Sequence, residues 1–121
     1  MIKHVNFVTL FVRDQDKAIA FYTEKLGFSI NTDQPMGEDA RWVELRIPGA
    51  QTKVVLFKDP GHVFGESKYP SIVYACDDVE KTYEELSSAG VEFVEKPAKK
   101  PWGWSAMFKD PDGNTCLLGT K

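Results

Sequence analysis

The stretch Asp110-Pro111-Asp112-Gly113-Asn114, near the end of the chain, lies between two short apolar segments and predicts a tight turn. Asp and Asn side chains bond to nearby backbone, proline presets φ, and glycine accepts a positive φ, so the residue types here favour a turn. We expect one strand over 103–109 and a last strand over 115–119. The turn therefore closes a hairpin, and this hairpin ends the second of two similar halves.

The two halves repeat one order of elements: a strand, a helix and then three strands. We predict these at 5–13, 16–26, 28–32, 40–47 and 52–58 in the first half, and at 70–76, 79–88, 91–94, 103–109 and 115–119 in the second. Asp14 and the pair Asp77-Asp78 are candidate helix caps. The span from Asp14 to Gly27 and the span from Asp77 to Gly90 are both 13 residues. Matching landmarks in a repeated order predict an internal duplication.

The predicted domain organisation is a single domain over 1–121, with module one at about 1–58, a linker at about 59–69 and module two at about 70–121. A loop is expected from Lys96 to Pro101. Each half is too small to bury its own sheet face, so the two must pair around a shared centre. We expect an α+β fold in which the modules form a curved mixed sheet around a central cleft, where a small molecule would bind.

Composition excludes several classes of function. The chain has 121 residues, 42% of them hydrophobic, and a formal net charge of −3. This mild acidity gives no support for nucleic-acid binding, which needs clustered Lys and Arg. No apolar run approaches the ~20 residues that cross a membrane, and the N-terminus lacks the apolar stretch of a signal peptide. We expect a cytoplasmic protein with neither a nucleic-acid nor a membrane partner.

Several motifs together resemble one superfamily. The first half carries Val12-Arg13-Asp14, Ala18-Ile19-Ala20-Phe21-Tyr22 and Leu26-Gly27-Phe28, and the second carries Asp77-Asp78-Val79 before the final turn. These resemble the vicinal oxygen chelate superfamily, which includes glyoxalase I, fosfomycin resistance proteins, extradiol dioxygenases and bleomycin resistance proteins. The resemblance covers essentially the whole chain and implies paired βαβββ modules that assemble as a homodimer. It does not select a reaction, because one fold hosts many functions.

Metal-dependent members of this superfamily place four ligands, mostly His and Glu, on four strands. By the resemblance, the corresponding positions in this chain are Phe7, Leu56, Ser71 and Leu117. Three are apolar and neutral serine is a poor ligand, whereas transition metals in such sites prefer imidazole and carboxylate. We expect His4, near the terminus, and His62, exposed in the linker, to lie outside the cleft. We therefore predict no catalytic metal and no cofactor.

Metal-free members that sequester drugs such as bleomycin or mitomycin resemble cups lined by aromatic residues that stack on flat ligands. Flat rings give a large contact area at little entropic cost, and a hydroxyl such as that of Ser71 would orient the ligand. An alternative for the rings is core packing, and for the two tryptophans near the last hairpin it is contact within a dimer. The candidate ligand-binding residues are Phe7, Thr9, Phe11, Trp42, Glu44, Leu56, Ser71, Trp102 and Trp104.

Glu44 has three interpretations at this stage. It forms a solvated pair with Arg46, or it is a polar anchor at the mouth of the cleft. The third is a general base, on the condition that burial raises its pKa.

Three functional hypotheses follow: a metal-independent small-molecule-binding protein, a glyoxalase-like lyase or isomerase acting on a small carbonyl compound, and a structural dimer whose centre is plugged. The sequence favours the first of these hypotheses.

Overall fold

The computed structural model describes residues 1–38, 40–65 and 69–120, which fall into two compact units, Met1–Val63 and Phe64–Lys121. The first unit contains β1 (Phe7–Phe11), α1 (Gln15–Ala20), a π-helical segment (Phe21–Lys25), β2 (Ser29–Pro35), β3 (Arg41–Arg46) and β4 (Lys53–Phe57). The second contains β5 (Ile72–Cys76), α2 (Val79–Ser88), β6 (Phe93–Lys100), β7 (Gly103–Lys109) and β8 (Thr115–Thr120). Part of the predicted linker, 66–68, lies outside the described residues.

Both units have the same sheet topology. The strand order is β1-β4-β3-β2 in the first sheet and β5-β8-β7-β6 in the second. In each sheet the first strand pairs with the last in parallel, and the remaining pairs are antiparallel. The predicted order of a strand, a helix and three strands is therefore confirmed in both halves, as is the βαβββ module that the resemblance implied. Neither helix is long and apolar enough to cross a membrane, among the residues described.

Each helix begins at an aspartate whose side chain caps the first turn. The Asp14 carboxylate accepts a hydrogen bond from the Lys17 amide at 3.1 Å, and the Asp78 carboxylate accepts one from the Lys81 amide at the same distance. Such caps satisfy amides that have no partner inside the helix. The cap in the second unit is thus Asp78, not Asp77, so the expected equal spacing is wrong by one residue. Cap to glycine is 13 residues in the first unit and 12 in the second.

The π-helical segment accommodates the extra residue. A π turn bonds residue i to i+5, so it holds one residue more than an α turn. After the helix of the first unit, the Phe28 amide bonds to the Tyr22 carbonyl, six residues back, at 3.0 Å. At the equivalent point of the second unit, the Val91 amide bonds to the Leu86 carbonyl, five residues back, at 3.0 Å. Gly27 and Gly90, with φ of 78° and 93°, then end both helical segments in the same conformation.

The core of the first unit lies on one face of its sheet, which we call the helix face. Strand alternation and the pairing register place the side chains of Leu10, Val43, Leu45, Val54 and Leu56 together on it. These residues are at most 3% exposed. The helical stretch contributes Ala18 and Tyr22, both fully buried. At about 25 cal/mol per Å² of apolar surface, this burial is the main stabilising contribution to the unit.

Gln15 fastens the start of α1 to the sheet. Its side-chain amide donates to the carbonyls of Arg41, at 2.7 Å, and Leu56, at 3.0 Å, and its Oε1 accepts from the Arg41 amide at 3.2 Å. Gln15 is 7% exposed, so these bonds are made largely out of water. They join the start of α1 to backbone groups of β3 and β4.

We predict that Gln15→Leu lowers the free energy of unfolding by about 2–4 kcal/mol, because it leaves buried backbone groups of two strands unpaired. Gln51→Leu, at an exposed position, is the matched control and should change stability little. The measurement is urea unfolding followed by circular dichroism. A Gln15→Leu protein as stable as the control variant would show that these hydrogen bonds contribute nothing net.

The helix face of the second unit is packed with aromatic rings in edge-to-face and tilted contacts. Tyr83 of α2 meets Phe93 with ring centroids 4.7 Å apart, and Phe93 meets Phe108 at 5.5 Å. Phe108 is fully buried. The expected loop from Lys96 to Pro101 is wrong, since β6 runs through Pro97 to Lys100. Proline is tolerated there because β6 is an edge strand, and its register shifts near Glu95 accommodate the irregular pairing.

The Asp110–Asn114 turn is organised by one buried carboxylate. Asp110 is 5% exposed, and its Oδ1 accepts from the amides of Asp112, at 2.9 Å, and Asn114, at 2.8 Å. Its Oδ2 accepts from the Asn114 side-chain amide at 2.8 Å. Gly113 has φ of 81°, as the sequence predicts for the turn. The turn sets the register of β7 against β8, in which Lys109 pairs with Thr115.

We predict that Asp110→Ala destabilises the protein by about 1–3 kcal/mol, because three donors lose their acceptor. Asp110→Asn should cost less, since its one carbonyl oxygen still accepts from backbone amides. Urea denaturation measures both values, provided that the slope of the unfolding free energy against urea concentration is unchanged. Equal losses for the two variants would contradict the assignment of the effect to the number of accepted bonds.

Candidate functional site

The side of the first sheet opposite the helix face, here called the open face, carries most of the predicted ligand-binding residues. Alternation along β1 places Phe7, Thr9 and Phe11 on it, and alternation along β3 places Trp42 and Glu44 there. Phe7 is 36% exposed and Thr9 is exposed. Phe11, Trp42 and Glu44 are half-buried. Among the described residues of this unit, no helix covers the open face.

The rings on the open face form a continuous line, which we call the aromatic row: Phe7, Trp42, Phe57, Phe11 and His62. Phe7 meets Trp42 edge to face, with centroids 5.5 Å apart and planes at 84°. Phe57 is 6.3 Å from Trp42 and 6.4 Å from Phe11. The imidazole of His62 stacks on Phe11 at 4.2 Å with planes at 12°. These separations lie in the range of favourable aromatic contacts.

Two members of the aromatic row escaped the sequence analysis. β4 reads Val-Val-Leu-Phe after Lys53 and is apolar on both sides, so alternation alone did not show which residues share the open face. The pairing of Phe11 with Phe57 places Phe57 there. The expectation that His62 is exposed in the linker is wrong, because its ring is half-buried against Phe11. No sequence signal pointed to that contact.

The structure also corrects the assignment of Leu56. It pairs with Leu10 and Val43, faces the helix and is fully buried. Leu56 therefore belongs to the core and does not share a surface with Phe7, Thr9 and Phe11. The open-face neighbours on β4 are Val55 and Phe57.

Glu44 is held by a polar network at the side of the aromatic row. Asn31 Nδ2 donates to Glu44 Oε1 at 3.0 Å, and Arg46 Nη2 donates to Asn31 Oδ1 at 2.9 Å. Trp42 and Thr32 add favourable polar interactions with the carboxylate. Glu44 and Arg46 are thus linked through Asn31, rather than paired directly as the sequence suggested.

This network decides the ionisation state of Glu44. Burial raises the pKa of Glu44, but the hydrogen bond from Asn31, the polar interactions with Trp42 and Thr32 and the charge of Lys53 together outweigh it. The net effect is a pKa below the ordinary value of 4.5. The condition for a general base, a pKa raised by burial, is therefore not met. The carboxylate instead remains a charged hydrogen-bond acceptor.

We predict that Glu44 titrates below its ordinary pKa in the folded protein and that Asn31→Ala raises its midpoint. Because the folded pKa is the lower one, ionised Glu44 stabilises the fold above the unfolded pKa, and this contribution is lost as the pH falls through the folded pKa. Carbon-13 NMR of the side-chain carboxyl measures the midpoint. A wild-type midpoint at or above 4.5 would contradict the network.

The remaining predicted residues belong to the second unit and do not share one face. Ser71 precedes β5, is exposed, and its amide donates to the Thr115 carbonyl at 2.7 Å. Alternation along β7 places Trp104 on the same side as Ala106 and Phe108, which is the helix face of that sheet. Trp102 lies in the turn between β6 and β7 and is 71% exposed. Trp104 therefore lies on the side of its sheet opposite to that of Ser71.

The residues at the expected metal positions do not fit a divalent metal. Phe7 contributes a ring to the aromatic row, and Leu56 is in the core. Within the described ranges, His, Cys, Asp and Glu side chains nowhere gather in a group of three or more that would hold a metal ion. Such a site requires imidazole and carboxylate donors, and the residues at these positions do not supply them.

Comparison with known proteins gives a consistent picture. The model of the Glyoxalase/Bleomycin resistance protein/Dioxygenase superfamily matches residues 2–118. YetH of Bacillus subtilis (strain 168) is 43% identical over 118 residues, which are 98% of either protein.

Solved structures also match over nearly the full chain. TnmS3, an antibiotic binding protein from Streptomyces sp. CB03234, has a TM-score of 0.85 at 36% identity, covering 98% of this chain and 96% of its own. A superfamily member from Sphaerobacter thermophilus DSM 20745 has a TM-score of 0.86 at 35% identity, covering 99% and 98%.

Proposed function

We propose that this chain, which belongs to the glyoxalase/bleomycin resistance protein/dioxygenase superfamily, binds a flat aromatic small molecule without a metal. The fold of this superfamily hosts both binding and catalytic roles. The observation that carries the proposal is the aromatic row on the open face of the first sheet. The similarity to TnmS3, an antibiotic binding protein, supports a binding role.

The dimensions of the aromatic row suit a fused-ring ligand. Four of its rings come from β3, β4 and β1, which are neighbours in the sheet, and the fifth, His62, follows β4. Adjacent strands are about 4.8 Å apart, so the row extends roughly 10 Å across the strands. A ligand with two or three fused rings has a comparable length. Half-buried rings already ordered by their own contacts lose little entropy on binding such a ligand.

Catalysis has less support in the same region. The lowered pKa of Glu44 makes it a poor general base, and its partners Asn31 and Trp42 are not nucleophiles. Glu44 therefore gives the lyase or isomerase alternative little support. The proposed role is therefore binding. We also propose that the protein is a cytoplasmic homodimer. Native mass spectrometry would measure the mass of the assembly.

We predict that the protein binds 2-naphthol and that Trp42→Leu weakens this binding by about tenfold or more, because the indole is the largest ring of the row. Decahydro-2-naphthol, which has the same skeleton without flat rings, should bind more weakly than 2-naphthol. Isothermal titration calorimetry measures both ligands.

Tyr69→Leu is the control for loss of an aromatic side chain, since Tyr69 is 70% exposed in the other unit. Trp102→Leu tests another tryptophan that the sequence analysis proposed for ligand binding. Equal affinity for the flat and the saturated ligand, or binding that fails in Trp102→Leu and survives in Trp42→Leu, would overturn the proposal.

A further inference from the structure

A β-bulge in β2 aims an asparagine at the carboxylate beside the aromatic row. Ile30 pairs with Leu45 and Thr32 pairs with Glu44, so Asn31 is an extra residue with no partner of its own in the ladder. A bulge redirects a side chain that would otherwise follow the alternation of its strand. Here it brings the Asn31 amide to Glu44 and Arg46, both on the open face.

The hydrogen bonds around Asn31 fix the direction of its amide. Its Oδ1 accepts from Arg46 at 2.9 Å, so its Nδ2 is the group that faces Glu44. An ionised carboxylate has about four acceptor positions. Asn31 fills one of these positions with a hydrogen bond of 3.0 Å to Oε1. The carboxylate therefore keeps acceptor capacity on the open face for a ligand that lies on the aromatic row.

The charges near Glu44 indicate which ligand groups its carboxylate favours. On the neighbouring strand β4, Lys53 exerts a favourable electrostatic interaction on the carboxylate, and on β3 Arg46 is linked to it through Asn31. The facing groups of β2, Asn31 and Thr32, are uncharged. With two cations already near one anion, an additional positive charge gains little. A hydrogen-bond donor gains more, because bonds to an ionised acceptor are the strong ones.

We propose that the aromatic row selects flat ligands that carry an O–H or N–H donor next to the ring, that Glu44 accepts this hydrogen bond, and that Asn31 is the positioning residue that orients Glu44. This inference rests on the proposed function and names its ligand class. A site built around a hydrogen bond rejects the analogue that lacks the donor, because a desolvated acceptor is then left unpaired.

The test compares three bicyclic ligands of similar size by calorimetry: 2-naphthol, which has a donor, 2-methylnaphthalene, which has none, and N-methylquinolinium, which has a positive charge and no donor. The wild-type protein should prefer 2-naphthol over the other two by about tenfold or more. Glu44→Gln should lower the affinity for 2-naphthol much more than the affinity for 2-methylnaphthalene, and so remove most of this preference. Glu85→Gln, the same charge change at an exposed position of α2, should retain the preference.

Asn31 is tested by a double-mutant cycle, which separates positioning from a general structural effect. Asn31→Ala should reduce the donor preference in the wild-type background and have no effect on it in Glu44→Gln. The preference should also disappear at a higher pH in Asn31→Ala than in the wild type, as the carboxylate becomes protonated.

The outcomes separate this inference from the function on which it rests. Tight binding of both 2-naphthol and 2-methylnaphthalene, with equal affinity, overturns the donor preference and leaves flat-ligand binding intact. A preference for N-methylquinolinium overturns it in favour of charge recognition. An equal effect of Asn31→Ala in both backgrounds removes Asn31 from the mechanism. Absence of binding by all three ligands overturns both proposals.

Discussion

Each unit has one helix and one four-stranded sheet, so a single helix covers only one of the sheet's two faces. In the first unit, this constraint separates two sets of side chains along every strand. On one side, Val43, Leu45, Val54 and Leu56 form the core beneath α1, with exposures near zero. The rings and polar groups on the opposite side are free of that requirement, and the aromatic row and the Glu44 network occupy them. The candidate site is thus a direct result of strand alternation.

Features with a local cause were predictable from the sequence. The Asp110–Asn114 turn, the capping role of Asp14 and the chain reversals at Gly27 and Gly90 each depend on a few neighbouring residues. The faces of β1 and β3 were also predictable, because polar and apolar residues alternate along β3 and Phe7, Thr9 and Phe11 are spaced by two.

Features that depend on contacts distant in sequence were not predictable. Nothing in the uniformly apolar β4 indicates which face Leu56 occupies, and only its pairing with β1 and β3 settles it. The stacking of His62 on Phe11 joins residues 51 positions apart and follows from the path of the chain after β4. The bulge at Asn31 depends on how β2 meets β3, so a reading of β2 alone gives no reason to connect Asn31 with Glu44.

The π-helical segment bears on how the two halves of the chain are compared. Adding one residue to an α-helix rotates everything after it by about 100°, which would turn the following strand away from its partner. In the first unit, the wider π turn at Phe21–Lys25 contains the added residue. Gly27 therefore leads into β2 in the same way that Gly90 leads into β6. An alignment of the two halves should therefore place the gap between the capping aspartate and the glycine inside this segment. Other length differences lie in the loops between strands, and both sheets keep the same order.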